Sequence, residues 1–207
     1  MKKILLGFAA AAALATPMAA SSAVIVLTFE GIPNSTPVGN FYAGQGIVFS
    51  PATLALIDAD AGGGGNFANE PTPDTIMFFL DANEAILNFA AGFDTGFSFF
   101  YTSSTAATVT VWDGVDATGN LLGSIDLAAQ HTQNCVGDPS GTFCNWTAVG
   151  VAFAGTARSI DFGGTANQTG YDNITFGTDV PRIPEPASLA LLGLGLAGLG
   201  MVRRRRA

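Results

Sequence analysis

The chain has 207 residues, with 8 basic against 16 acidic side chains, a formal net charge of −8 and 48% hydrophobic residues. That length leaves room for one domain of ordinary size after targeting segments are set aside. The acidic balance argues against nucleic acid, whose phosphates need a basic footprint, and against anionic lipid headgroups.

The first element is a leader. Lys2 and Lys3 precede an apolar stretch from Ile4 to Leu14, and small residues follow. This layout predicts a secretory signal peptide over 1–23, cut after Ala23 with Ser21 at −3; Ala20 is a second cut site. The apolar stretch is too short for a span, which takes roughly 20 apolar residues. The chain is therefore expected to leave the cytoplasm through the secretion translocon.

The body is placed at 24–179 as one domain. Between the leader and the apolar run that starts at Ala187 lie no lysine, two arginines (Arg158 and Arg182) and all sixteen acidic residues, a net of −14. Such a surface suits solubility or divalent cations. Helical periodicity is hard to find. Short runs rich in Val, Ile, Phe and Thr recur instead, at 24–30, 47–50, 53–58, 75–80, 85–90, 96–101, 108–112, 121–127, 146–153, 158–162 and 171–177. Gly, Asp, Asn and Pro separate them, which predicts an all-β sandwich of jelly-roll type. Phe97, Phe99 and Tyr101 share one strand face by parity, as do Val149, Val151 and Phe153, and Ile160 with Phe162. The stretch from Val111 to Leu127 reads as a hairpin turning at Ala117-Thr118-Gly119-Asn120. The sixteen phenylalanines fit a filled interior between two sheets.

The segment 58–74 contains four consecutive glycines and two prolines and reads as a flexible loop. Its Asp58-x-Asp60 is not an EF-hand start, because Gly62 and Asn69 stand where ligands five and twelve would be. Cys135 and Cys144 flank a turn-forming Gly-Asp-Pro-Ser-Gly. In an oxidising compartment they are expected to form a local disulfide.

Catalytic signals are weak. His131 is the only histidine, no G-x-S-x-G occurs, and the body offers three glutamates, Glu30, Glu70 and Glu84. No catalytic residues are assigned and no enzyme activity is expected. Glu30 closes the first strand, and Asp172 by parity shares a face with Ile174 and Phe176. An inward carboxylate has to be paired, hydrogen-bonded or metal-bound. A jelly roll can set its first and last strands side by side, and a Glu30–Asp172 pair on one Ca²⁺ with backbone carbonyls resembles the structural calcium site of jelly-roll carbohydrate-binding modules. The resemblance implies a Ca²⁺ shared by Glu30 and Asp172; a strand-end hydrogen bond is the other reading.

The chain ends in a tail at 180–207: Pro184-Glu185-Pro186, an apolar run from Ala187 to Val202, then Arg203, Arg204, Arg205 and Arg206. As a helix the run would reach about 24 Å, just short of a bilayer core, with the arginines holding its end on the cytoplasmic side. Gly193, Gly195 and Gly198 spell G-x-G-x-x-G, but without the βαβ setting a dinucleotide loop requires. The three-part tail resembles the PEP-CTERM sorting signal. That resemblance implies an exosortase as processing enzyme, a transient inner-membrane anchor, and release to the cell surface or extracellular matrix of a biofilm-forming Gram-negative bacterium. The expected role is structural or adhesive. The rival is a carbohydrate-binding module for exopolysaccharide, with Trp112, Trp146, Tyr42 and Tyr171 as glycan contacts.

Overall fold

A computed structural model describes residues 24–131, 135–136 and 141–178. The proposed signal peptide and the sorting tail lie outside the described residues.

The described residues form twelve strands and one 3₁₀ turn. The strands are β1 (Ile25–Leu27), β2 (Thr36–Pro37), β3 (Ile47–Phe49), β4 (Thr53–Ile57), β5 (Thr75–Phe79) and β6 (Glu84–Phe93). They continue with β7 (Phe97–Ser103), β8 (Ala107–Trp112), β9 (Leu121–Leu127), β10 (Thr147–Val151), β11 (Ala157–Gly163) and β12 (Thr169–Phe176). Each of the eleven expected strands is present. The added one, β2, is two residues long, too short to show a period.

Two antiparallel sheets stack face to face. The larger runs β10-β7-β12-β5-β4-β2, with β1 also on β12; the smaller runs β3-β6-β11-β8-β9. From β5 onward the chain keeps crossing between sheets, the jelly-roll habit that the pattern of short strands predicts. The alternation of β7 buries Phe97, Phe99 and Tyr101, and that of β11 buries Ile160 and Phe162. These faces meet: the Phe99 and Phe162 rings are 5.6 Å apart, edge to face. Tyr171 crosses the interior, and its hydroxyl donates to the Gly163 carbonyl of the opposite sheet at 2.5 Å. The β8–β9 hairpin pairs as expected, over Ala107↔Leu127 to Trp112↔Leu121.

The 58–74 loop is tied down rather than free. The Asn66 carbonyl accepts from Thr142 N at 2.6 Å and Phe143 N at 3.1 Å, and Ala68 N donates to the Phe143 carbonyl at 3.0 Å. Phe67 is buried and meets Trp146 edge-on at 6.3 Å. The glycines permit this close return: a Cβ on Gly63 would lie 2.0 Å from the Ile57 carbonyl oxygen. The loop thereby covers Ile76 and Phe78 on the outer face of the larger sheet, which are 3% and 6% exposed.

Candidate functional site

Strand β12 changes neighbour along its length. Gly170 and Tyr171 pair with β5, while Ile174 to Phe176 pair with β1. Asp172 and Asn173 fall between the two. The register against β7 shifts there, and Asn173 takes a left-handed φ of 50°. The slip corrects the parity expectation. Asp172 stands opposite Phe100, whereas Phe176 stands opposite the core residue Phe97, so the two no longer share a face.

The gap is filled by Thr72 from the loop before β5. Its amide donates to Asp172 Oδ2 at 3.1 Å, and its hydroxyl lies 3.0 Å from the same oxygen. The Asn173 amide donates to Asp172 Oδ1 at 2.6 Å. Asp172 is fully buried, and burial raises its carboxyl well above the usual carboxylate range, with the Thr72 and Asn173 donors pulling the other way. Glu30 is held in parallel: Thr75 N donates to its Oε1 at 3.0 Å and the Thr75 hydroxyl to its Oε2 at 3.3 Å. Burial raises its carboxyl too, and Asp74 and Glu70 add to the rise. Phe29, just before Glu30, also adopts a left-handed φ of 63°, and its amide donates to the Tyr42 hydroxyl at 2.7 Å.

First and last strands therefore meet, and Glu30 and Asp172 come to the same end of the sandwich. As a joint calcium site, however, the pair is a poor fit. Asp172 is sealed from solvent, and both of its oxygens already receive donors. Among the described residues no group of three or more His, Cys, Asp and Glu is placed to hold a metal ion. What the geometry contains is the strand-end hydrogen bond, extended into a network that ties Thr72 of the 58–74 loop to β12 and Thr75 at the start of β5 to Glu30. Thr72, Thr75 and Asn173 are the members that sequence reasoning missed. Only the Asp172-Asn173 adjacency hinted at them.

The four aromatic candidates separate. Tyr42 and Tyr171 are 8% and 0% exposed, which removes them from any glycan surface. Trp112 ends β8 on the smaller sheet, partly exposed, with its indole N–H on Thr110 Oγ1 at 2.8 Å. Trp146 precedes β10 on the larger sheet, its indole N–H on the Ala68 carbonyl at 3.1 Å. Beside Trp146 lies a shallow pocket of about 550 Å³ lined by Asn69, Gln130, His131, Asn145 and Thr147. His131 also meets the Phe143 ring at 5.8 Å. Cys135 and Cys144 form the expected disulfide, with Cα atoms 5.5 Å apart.

The tail is settled by comparison with known families. Residues 182–206 match the family model of the PEP-CTERM protein-sorting motif. The chain carries a PEP-CTERM sorting signal. Such a signal addresses an exported, membrane-anchored precursor to exosortase for processing. Among the described residues no helix is long and apolar enough to cross a membrane, and the sorting helix expected over 187–202 lies outside them.

No curated protein matches the sequence. Among solved structures, the chain is similar to a glycoside hydrolase family 43 arabinoxylan arabinofuranohydrolase from Bacillus subtilis, in complex with cellotetraose. The TM-score is 0.38 at 17% identity, over 73% of this chain and 28% of that one. It is also similar to the carbohydrate-binding module CBM6cm-2 of Cellvibrio mixtus lichenase 5A, in complex with cellotriose. There the TM-score is 0.36 at 14% identity, over 61% of this chain and 87% of the module. The chain thus spans little more than a quarter of the hydrolase's length.

Proposed function

We propose that this protein is a surface or matrix component of an exopolysaccharide- or biofilm-forming Gram-negative bacterium, cut by exosortase near Pro184-Glu185-Pro186, with a structural or adhesive rather than catalytic role. The sorting motif at 182–206 carries this reading. A stable β-sandwich, clipped by a disulfide and by the Thr72–Asp172 network, suits an exported particle that must persist outside the cell. The test is to express the full chain in its host with and without the exosortase and to follow its mass and location. The expected outcome is a surface or released form lacking the tail in the first case, and an uncut membrane-bound form in the second. A full-length membrane form in both would overturn the reading.

A second reading, a carbohydrate-binding module for exopolysaccharide, is favoured by one observation. Trp146 borders a solvent-open pocket rich in amide and hydroxyl groups, the mixture that sugar recognition uses. Binding of purified exopolysaccharide that is lost in Trp146→Ala, and kept in Trp112→Ala, would support it. Equal binding by all three proteins would place the sugar elsewhere.

A further inference from the structure

The pocket beside Trp146 has an acidic neighbour. No Asp, Glu, Lys or Arg stands among the described residues that line it. Asn69, however, is shared with a second shallow pocket of about 470 Å³, which Asp58, Asp60, Glu70 and Asp74 line. The two pockets therefore adjoin. One loop holds both: the Trp146 indole N–H donates to the Ala68 carbonyl, two residues before Glu70. Consecutive Cα atoms are about 3.8 Å apart, so the Glu70 Cα lies no more than about 8 Å from that of Ala68. Asp74 N donates to Glu70 Oε1 at 3.2 Å, and Asp58 N to the Asp74 carbonyl at 2.8 Å, which gathers the two ends of the loop side by side. Asp60 and Asp74 are exposed, and Glu70 partly so. No base answers this charge nearby. Among the described residues Arg158 is the sole Lys or Arg; it stands on β11 of the smaller sheet, bonded to the carbonyls of Ala90 and Asp113.

Taking the Trp146 pocket as the glycan site, as the second reading above does, we propose that Asp60, Glu70 and Asp74 make it selective for neutral polysaccharide by repelling anionic chains. A polymer laid across Trp146 and Asn69 comes within a screening length of these carboxylates, about 8 Å at physiological salt. A uronate there meets like charge, with no Lys or Arg in the described lining to pair it. Such juxtaposition is how an interface rejects a wrong partner. A neutral sugar meets no such penalty, and the pocket keeps uncharged groups to hold it. Gln130 spends one amide N–H on the Tyr101 carbonyl at 2.7 Å, which leaves its second N–H to donate. The Thr147 hydroxyl donates to Gln130 Oε1 and still has lone pairs to accept from a sugar hydroxyl.

The test uses the full-length protein and one purified exopolysaccharide in two forms. In one its carboxyls are reduced to alcohols; in the other its primary alcohols are oxidised to carboxylates. Binding is measured at about 0.15 M salt, where only nearby charges count. Three proteins are compared: the wild type, a rim variant (Asp60→Asn, Glu70→Gln, Asp74→Asn) and a remote variant that loses equal charge from the smaller sheet and its turns (Asp94→Asn, Asp116→Asn, Asp126→Asn). All three are expected to bind the neutral form alike. The oxidised form is expected to bind several-fold more tightly to the rim variant than to the other two. Should the rim variant not fold, Asp60→Asn with Glu70→Gln takes its place. The proposal is overturned if the wild type holds the oxidised form as tightly as the neutral one, or if the rim variant gains no more than the remote variant. Failure of all three proteins to bind either form would instead sink the glycan reading itself, and this inference with it.

Discussion

Asp172 of the last strand and Thr72 of the loop before β5, one hundred residues apart, are joined by an amide and a hydroxyl donor on one carboxylate. The contact seals the break where β12 passes from β5 to β1. Thr72→Val keeps the shape and the amide bond but removes the hydroxyl from a fully buried acid. It should cost about 1–3 kcal/mol, the range for leaving a buried polar group short of a partner. Urea unfolding of the two proteins measures it. An unchanged midpoint would mean that the hydroxyl is idle.

Stability should fall as the pH rises from about 4 to 7 in calcium-free buffer. Burial, with Glu70 and Asp60 adding, pushes Asp58 up to about 6; burial, then Glu84, does the same for Asp161. Both carboxyls hold a proton more tightly folded than unfolded, so folding takes up protons between roughly pH 4 and 6. Their contribution is present at the acid end and is lost as the pH climbs through 6. Thermal unfolding at pH 5 and 7 reads the slope, and Asp161→Asn should flatten it. A wild type more stable at pH 7 than at pH 5 would contradict this account.

Tyr171→Phe isolates a side-chain bond between the two sheets. The ring stays packed against Phe99 and Phe162, but the Gly163 carbonyl loses its 2.5 Å donor. A loss of about 1–2 kcal/mol is expected on chemical denaturation. The larger cavity-forming change Phe162→Ala should cost about 3–5 kcal/mol at the same site.

Reducing the Cys135–Cys144 bond, or replacing both cysteines with serine, should cost about 2–3 kcal/mol by freeing a short loop. The effect should be local as well. Phe143, one residue from Cys144, holds the 58–74 loop through Asn66 and Ala68. Hydrogen exchange at Ala68 and Phe143 should therefore rise more than at β11 amides. Uniform acceleration would place the disulfide in the global fold instead.

Much of the architecture is written in local pattern. The period of two in β7 and β11 marks their buried faces because a pleated strand turns alternate side chains to opposite sides. Turn residues at Ala117–Asn120 announce the hairpin, and two cysteines nine residues apart around a turn announce their own bond. The sorting tail is likewise a contiguous signal, read from Pro184-Glu185-Pro186, an apolar run and four arginines. None of these needs knowledge of a distant partner.

The sites are a matter of distant pairing. The side chain of Asp172 left the core face because one bulge at Asn173 breaks the parity count, and that bulge exists because β12 has two neighbours. Tyr42 and Tyr171 were drawn inward by packing against Phe29, Phe99 and Phe162, and Trp112 and Trp146 went to different sheets by strand order. Asp58 acquired its neighbours Glu70 and Asp74 when a glycine loop folded back on β4. The sequence by itself determined the export address, the strands and the disulfide, because those follow from residues adjacent along the chain. Only the tertiary structure decided which carboxylates are spent on donors and which remain open, because that depends on residues up to a hundred positions away.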